Sequence, residues 1–402
     1  MASSALVIAY WSTRLSSQTL VVTPSVPFAM DGSRFYLDIK AVDGLKRYAA
    51  LWPGRVRCLM RRGDRSQIVF GKAYDAADLP FDVVARGDAP DSNRADFDDA
   101  AIVLAAGDSY GDLAIPDVTA TPTVFIIENT LVTRLRILRL SQGLTLRTAK
   151  SMAWMVLRER DRRRAFEQAA GLQANGSPAF DSYQHLSEAP MRYFDTRMTR
   201  SQQASPAEID RKVAQVLAGA PIRLAFSGRL ARIKGVDHLV PFAEALQRTG
   251  TPFVLDIFGD GPLRAAMQDA ATQSGLGDKV RLHGAVPFDE TLVPTLKQTA
   301  DLFVCTHRQA DPSCTYMETL SCGVPIVGYD NAAFRGIAAL GNVGVTVPMD
   351  DVSALARAVA RLSADRPALA DMIRAAGQVS QDHSFENVVQ QRIDHLRTIA
   401  QV

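Results

Sequence analysis

This chain has no large excess of either positive or negative charge. Its 402 residues carry 45 lysines and arginines against 43 aspartates and glutamates, a formal net charge of +2 at pH 7. A chain so balanced does not coat nucleic acid by bulk attraction, although a local basic face remains open to it. Cysteine is scarce too. Cys58, Cys305, Cys314 and Cys322 are the four present, with no CxxC pair among them. That excludes a zinc ribbon or a thioredoxin-type motif and suits reduced thiols. No run of about 18 apolar residues occurs, so no membrane-spanning helix is expected. Met1–Tyr10 has no basic leader and no cleavage pattern, so no secretory signal is expected either. Repeats and low-complexity tracts are also lacking. What remains, 47% hydrophobic and 22% charged, is ordinary globular composition, and the length suits two or three domains. A cytoplasmic two-domain protein is expected.

Strands and helices alternate along the chain. In the first half, strands are expected at Ala5–Tyr10, Leu20–Thr23, Arg55–Met60, Val83–Val84, Ala101–Leu104 and Thr123–Ile127, with a last one at Gly171–Ala174 closed by Asn175-Gly176-Ser177-Pro178. Asp31-Gly32-Ser33 reads as a turn, Arg34–Leu51 as helical, and Leu131–Gln168 as a long helical stretch broken near Gly143. A polar segment from Met198 to Pro206 resembles a linker. Beyond it, strands are expected at Ile222–Ser227, Phe253–Phe258, Val280–His283, Leu302–Cys305, Pro325–Gly328 and Gly344–Val347, with helical patterns between them and a helical tail. Such alternation implies parallel sheets covered on both faces. Two of them in tandem imply a cleft, with ligands beyond the carboxyl ends of the strands.

Two segments could carry chemistry. The first follows Phe226 and reads Ser227-Gly228-Arg229-Leu230-Ala231-Arg232-Ile233-Lys234-Gly235. Gly228 permits a tight turn at the strand end. Arg229 and Lys234 then offer two cations at the cleft edge, suited to a diphosphate and to the charge that develops on a leaving nucleotide. Two solvated cations on a surface loop are the plain alternative. The second segment runs from Asp311-Pro312-Ser313-Cys314-Thr315 through Glu318 to Gly323-Val324-Pro325. Its helix N-terminus offers free N–H groups to a phosphate, and Glu318, one turn in, could accept from two ribose hydroxyls. Glu318 could equally be an ordinary helix-surface carboxylate.

Together these segments resemble the retaining glycosyltransferases of family 4, glycosyl transferases group 1, which have the GT-B fold. The resemblance covers about residues 220–385. It rests on the Gly-Arg-(four residues)-Lys-Gly loop, on Phe258-Gly259-Asp260-Gly261-Pro262-Leu263, on His283-Gly284, and on Glu318 to Pro325, in that order and spacing. The fold it implies is α/β: two Rossmann-like domains facing a central cleft. The divisions would be an acceptor-binding domain over 1–205, a nucleotide-sugar-binding domain over 206–384, and a C-terminal helix over 385–402 that returns toward the first domain. The resemblance assigns Arg229 and Lys234 to the donor diphosphate and Glu318 to the ribose. It assigns Gly284-Ala285-Val286 to the base, and Ser313, Cys314 and Thr315 to the phosphates and sugar, with Gly228 at the loop turn. It implies transfer of a sugar from a nucleotide-diphosphate sugar to a glycan or lipid-linked acceptor, with retention and without cofactor or metal.

Two departures stand out. Relatives often carry a glutamate eight positions before the ribose carboxylate. Here that position is Ala310, and Asp311 is the nearest replacement for holding a sugar hydroxyl. Many relatives also carry a histidine in the first domain. Here the one histidine before residue 220 is His185, in a polar segment that suits a surface position. Glu128 and Asn129, ending a buried strand, are better candidates for acceptor binding or base assistance, although Glu128 could also pair with Arg134. Asn175 and the Asp31-Gly32 loop are further cleft candidates, the latter also readable as a plain turn. Asp96-Phe97-Asp98 is rejected as a metal site, because nothing else in the chain matches a fold that uses one. A non-catalytic scaffold that binds nucleotide sugar or glycan is the alternative from another class, motivated by Ala310 and the missing histidine. A nucleotide-sugar epimerase of the same fold is a third, disfavoured by the 311–325 segment.

Charge is segregated locally. Residues 131–165 hold ten arginines and lysines against Glu159 and Asp161, interleaved with Leu135, Leu138, Leu146, Trp154 and Leu157. A basic amphipathic segment of this kind can rest on an anionic membrane at its inner face. A solvated helix face is the alternative.

Overall fold

The computed structural model describes residues 18–402 except 69, 88 and 90; the strand expected at Ala5–Tyr10 lies outside them. The strands of the first half are β1 (Thr19–Thr23), β2 (Ala29–Asp31), β3 (Arg34–Asp38), β4 (Val56–Met60), β5 (Gly71–Tyr74), β6 (Asp82–Ala85), β7 (Ala100–Ala106), β8 (Thr123–Ile127), β9 (Gly171–Asn175) and β10 (Pro190–Tyr193), with apolar β-branched residues concentrated in β1, β6, β7 and β8. Seven of them make a parallel sheet in the order β10-β9-β8-β7-β1-β4-β6, and β2-β3-β5 form a small antiparallel sheet beside it. The second half supplies β11 (Ile222–Ser227), β12 (Phe253–Phe258), β13 (Val280–Gly284), β14 (Leu302–Cys305), β15 (Ile326–Tyr329) and β16 (Gly344–Val347). These make a six-stranded parallel sheet, β13-β12-β11-β14-β15-β16.

The strand order decides where a ligand can go. In the second sheet the chain steps outward from β11 through β12 to β13, then returns to the other side of β11 with β14. The register Leu224↔Leu302 and Ala225↔Phe303 holds β11 against β14. Successive connections leave in opposite directions there, so a crevice opens beyond the carboxyl ends of the two strands. In the first sheet the same reversal falls between β1 and β7. Both pairs of central strands are buried, as parallel sheets covered on two faces require.

Three local expectations need correction. Arg34–Asp38 is a strand, not the start of a helix: Phe35 and Tyr36 pair across β2 and β5, and the helix begins at Ile39, with Asp38 accepting from the Ala41 N–H at 3.1 Å. β9 is not the last strand of its sheet. β10 follows as an edge strand whose leading Pro190 has no ladder N–H to lose. Asn175-Gly176-Ser177-Pro178 is not a plain closing loop, because a helix runs over Gly176–Tyr183.

The last helix, Phe385–Ala400, returns to the first sheet. Val389, Ile393 and Leu396 are buried in one cluster with Leu20, Tyr48, Ile102 and Val124. Gln173 in the middle of β9 donates to the Arg392 carbonyl at 2.9 Å, and the Arg392 Nε donates back to its side-chain oxygen at 2.8 Å. Among the described residues no helix is long and apolar enough to cross a membrane.

Candidate functional site

The loop after β11 and the loop after β14 are zipped together at the crevice. Gly235 is left-handed, at φ 63°, and a Cβ there would stand 2.0 Å from the Thr306 carbonyl oxygen. Only glycine lets the two backbones approach so closely. Thr306 Oγ1 donates to the Lys234 carbonyl at 2.9 Å, and Arg308 donates to the Arg232 carbonyl at 3.2 Å. Arg308 also pairs with Asp237 at 2.9 Å and Asp350 at 2.7 Å, fixing the base of both loops.

Lys234 and Asp311, singled out separately in sequence, meet here. The Lys234 Nζ lies 3.0 Å from Asp311 Oδ2. Burial opposes ionisation of Asp311, but the ammonium outweighs it and holds the carboxyl below the ordinary carboxylate range. Asp311 Oδ1 is buried without a hydrogen-bond partner among the described residues. Arg229, by contrast, is exposed and makes no ion pair among them. Beneath the loop, His307 is fully buried, 3.4 Å from the Tyr316 hydroxyl. Burial first, and Lys234 second, push its pKa down to about 3, so the ring stays neutral.

Glu318 sits on the helix Thr315–Ser321, 7% exposed. It takes Arg197 Nε at 2.9 Å from across the cleft. Burial raises its pKa, and Arg197 moderates the rise. Cys314, at the head of that helix, donates its Sγ–H to Asp195 Oδ2 at 3.3 Å. Ser313 N–H donates to the Asp311 carbonyl at 2.8 Å, and Thr315 opens the helix. Gly228 stands at φ 151°, and Gly259 N–H donates to the Gly284 carbonyl at 2.7 Å, which gathers the ends of β11, β12 and β13. Ala285 is exposed, and Val286 lines a separate cavity of about 420 Å³ on one face of the second sheet, across β11, β12 and β13.

The first domain contributes a polar floor. Glu128 Oε2 accepts from Asn175 at 2.8 Å, and its Oε1 accepts from the Tyr193 hydroxyl at 3.3 Å. Burial, with Asp195 adding to it, pushes the Glu128 carboxyl up to about 7. Asp108 accepts from the Glu128 and Asn129 N–H groups at 2.7 and 3.3 Å. Tyr48, Glu128, Asp195, Arg197, Cys314 and Arg392 line a cavity of about 410 Å³ between the domains. Arg392 reaches it from the last helix, its guanidinium over the Tyr193 ring at 4.3 Å.

Some expected residues are elsewhere. Asp31 and Gly32 form the exposed tip between β2 and β3, where Asp31 pairs with Arg34 at 3.2 Å and Arg65 at 3.1 Å; neither lines the cavity. The positive φ of Gly32 serves the hairpin. Glu128 takes Asn175 and Tyr193, not Arg134. His185 is exposed beside Arg163, at 3.0 Å. Asp96 pairs with Arg57 at 3.2 Å, and Asp98 accepts from Thr119 at 2.7 Å. The basic stretch is less exposed than its charge count implies: Arg162 is fully buried, and Arg158 and Arg164 pair with Asp161 and Asp117 at 2.7 and 3.5 Å. Asp195, Arg197 and Arg392 had no sequence signal, because each acquires its role from a partner distant in the chain.

Residues 209–379 match the family model described as glycosyl transferases group 1. The 2-deoxystreptamine N-acetyl-D-glucosaminyltransferase of Streptomyces fradiae is 29% identical over 184 residues, 45% of this chain and 43% of that protein. The 2-deoxystreptamine glucosyltransferase of Streptomyces kanamyceticus is 30% identical over 174 residues, 42% of this chain and 44% of that protein. The match thus spans less than half the length of these curated relatives. Anabaena Alr3699/HepE, solved in complex with UDP, superposes with a TM-score of 0.66 at 15% identity, covering 95% of this chain and 99% of that one. At that identity the likeness establishes the fold, GT-B. The family likeness is that of residues 209–379, less than half of the chain, to the glycosyl transferases group 1.

Proposed function

We propose that the protein transfers a sugar from a nucleotide-diphosphate sugar to a glycan or lipid-linked acceptor in glycoconjugate biosynthesis, with retention of configuration and without a metal. The observation that supports this reading is the joining of the loops after β11 and β14, where Lys234 meets Asp311 at 3.0 Å, with Arg229 exposed on the first loop and Glu318 buried on the helix that follows the second. Arg229 and Lys234 would stabilise the departing diphosphate, the task a divalent ion performs in other sites. Glu318 would accept from the ribose hydroxyls, and Gly284-Ala285-Val286 would border the base. The acceptor would occupy the cavity above Glu128 and Asn175. Its hydroxyl oxygen would bond to the anomeric carbon on the face from which the diphosphate leaves. As the carbon–phosphate oxygen bond breaks, the hydroxyl proton would pass to the leaving phosphate. No first-domain histidine is then needed, which fits the position of His185. Domain closure over the site would limit hydrolysis of the donor.

Thermal shift against UDP, GDP, ADP and their sugars, without metal, tests the reading. UDP heads the panel because HepE was solved with it. Stabilisation by one nucleoside diphosphate is expected, growing with concentration as binding to the folded state requires. No shift with any of them would discard the donor site. Binding without transfer to any acceptor would favour the scaffold alternative.

The reading extends to a membrane. The helices Leu131–Gln142 and Leu146–Gln168 are joined at Gly143 and project exposed apolar side chains, Val132, Leu146 and Leu157 at 73%, 93% and 70% exposure. Arg136, Arg139, Arg147 and Lys150 are exposed among them. Apolar contact with basic flanks suits an anionic lipid surface at the inner face of the membrane. Vesicles containing phosphatidylglycerol should co-sediment the protein at low salt and release it at high salt. Failure to bind at low salt would remove the membrane from the proposal.

A further inference from the structure

Arg197 lies in the segment that leads from β10 toward the second sheet. Its Nε donates to Glu318 Oε1 at 2.9 Å, and its guanidinium lies over the Phe288 ring, 3.8 Å from the centroid. Glu318 belongs to the helix that follows β14. Phe288 follows β13, two residues beyond Val286. One cation therefore touches both the carboxylate and the loop that the donor-site reading assigns to the nucleoside. Glu318 is left half used: Oε1 is occupied, while Oε2 makes no hydrogen bond among the described residues.

The charge matters as much as the geometry. Burial works against an ionised Glu318, and Arg197 is the main group that opposes this, followed by Lys40. An ionised carboxylate accepts hydrogen bonds from two hydroxyls; a protonated one spends an oxygen as a donor. A side chain immobilised through one oxygen also gives up less freedom on binding a ligand with the other.

We propose that Arg197 is a positioning residue for nucleoside recognition. It fixes Glu318 with Oε2 free for the ribose and ties that carboxylate to the loop after β13, so the segment joining the domains takes part in holding the nucleotide. This rests on the donor-site reading of Glu318 and adds a residue which that reading does not contain. Because Arg197 also lines the cavity between the domains, the grip on the ribose becomes sensitive to how the two domains are drawn together.

The test is calorimetric titration of UDP, GDP and ADP, and of their 2′,3′-dideoxy forms, into wild type, R197Q, E318Q and the double variant, each first checked for an unchanged unfolding temperature. One ribonucleotide should bind wild type, and R197Q should weaken it about tenfold, the scale of one charge-assisted hydrogen bond. Its dideoxy form should bind wild type and R197Q alike. On the E318Q background, R197Q should add no further loss. Equal losses for the ribo and dideoxy forms would reduce Arg197 to general support of the cleft and overturn the inference, as would unchanged affinity or full additivity. If wild type binds none of the three nucleotides, the donor-site reading falls first and takes this inference with it.

Discussion

Arg229→Ala should lower the rate of sugar transfer by about 10²- to 10³-fold, while leaving the unfolding temperature where it was. On the proposed diphosphate role, the size is that of removing one preorganised cation from a developing anion, about 2.7–4 kcal/mol. The unchanged stability follows from its surroundings: Arg229 is exposed and has no ion pair among the described residues. A residue with so little to hold in the fold and so much effect on turnover acts on the ligand. Lys234→Ala should slow transfer on the same scale but also cost stability, because Asp311 loses the ammonium 3.0 Å away. Adding Asp311→Asn should return stability without returning turnover. Initial rates with a labelled donor, alongside thermal unfolding, decide it. Wild-type turnover in both single variants would remove the diphosphate role from this loop.

Arg162→Met should be the most destabilising of these substitutions, by about 3–5 kcal/mol. The guanidinium is fully buried. Its Nε donates to the Gly107 carbonyl at 2.9 Å, and its Nη atoms reach the Tyr183 hydroxyl at 3.0 Å, and Asp108 and the Asn129 carbonyl each at 2.9 Å. Removing it strands Asp108 without its cation and leaves two carbonyls unpaired in a dry site. Asp108 in turn holds the N–H groups of Glu128 and Asn129, so whatever stays folded should also bind acceptor poorly. Urea denaturation gives the free energy. A loss below about 1 kcal/mol would mean water replaces the guanidinium, and the network would count for far less than its geometry implies.

The same arginine shows where sequence reading stops. In the row of charges from Arg134 to Arg164, Arg162 looks like one more member of a solvated face, because a charge count does not register burial. Its partners Asp108 and Tyr183 are 54 and 21 residues away. The second sheet was far more legible. Its strands are short apolar runs, several of them bounded by glycine or proline, and the sequence places Arg229 and Lys234 on the loop after β11 and Glu318 on the helix that follows β14, where the structure has them. The pairing of Lys234 with Asp311 was not legible, although both residues were singled out, because nothing in a sequence says that a lysine and an aspartate 77 positions apart converge. Arg197 escaped for the same reason, with its carboxylate 121 positions on. Asp31-Gly32 misled in the opposite way. A glycine turn that approaches a ligand and one that caps a hairpin look alike until the Tyr36↔Ala29 pairing of β3 with β2 is known.

The helix that returns to the first sheet also bears on the order in which the protein is made. The cluster around Leu20, Tyr48 and Ile102 includes Ile393 and Leu396, and Gln173 waits for a partner 219 residues later. A ribosome that has finished every strand of the first sheet has not yet made the residues that seal it. The second sheet draws its core almost wholly from residues after 194, so it can mature as it emerges, while the first stays open until the final turns of helix dock. Long-range closure of this kind slows folding and leaves apolar surface exposed for the length of translation. The half of the chain synthesised first is therefore the half whose folding finishes last.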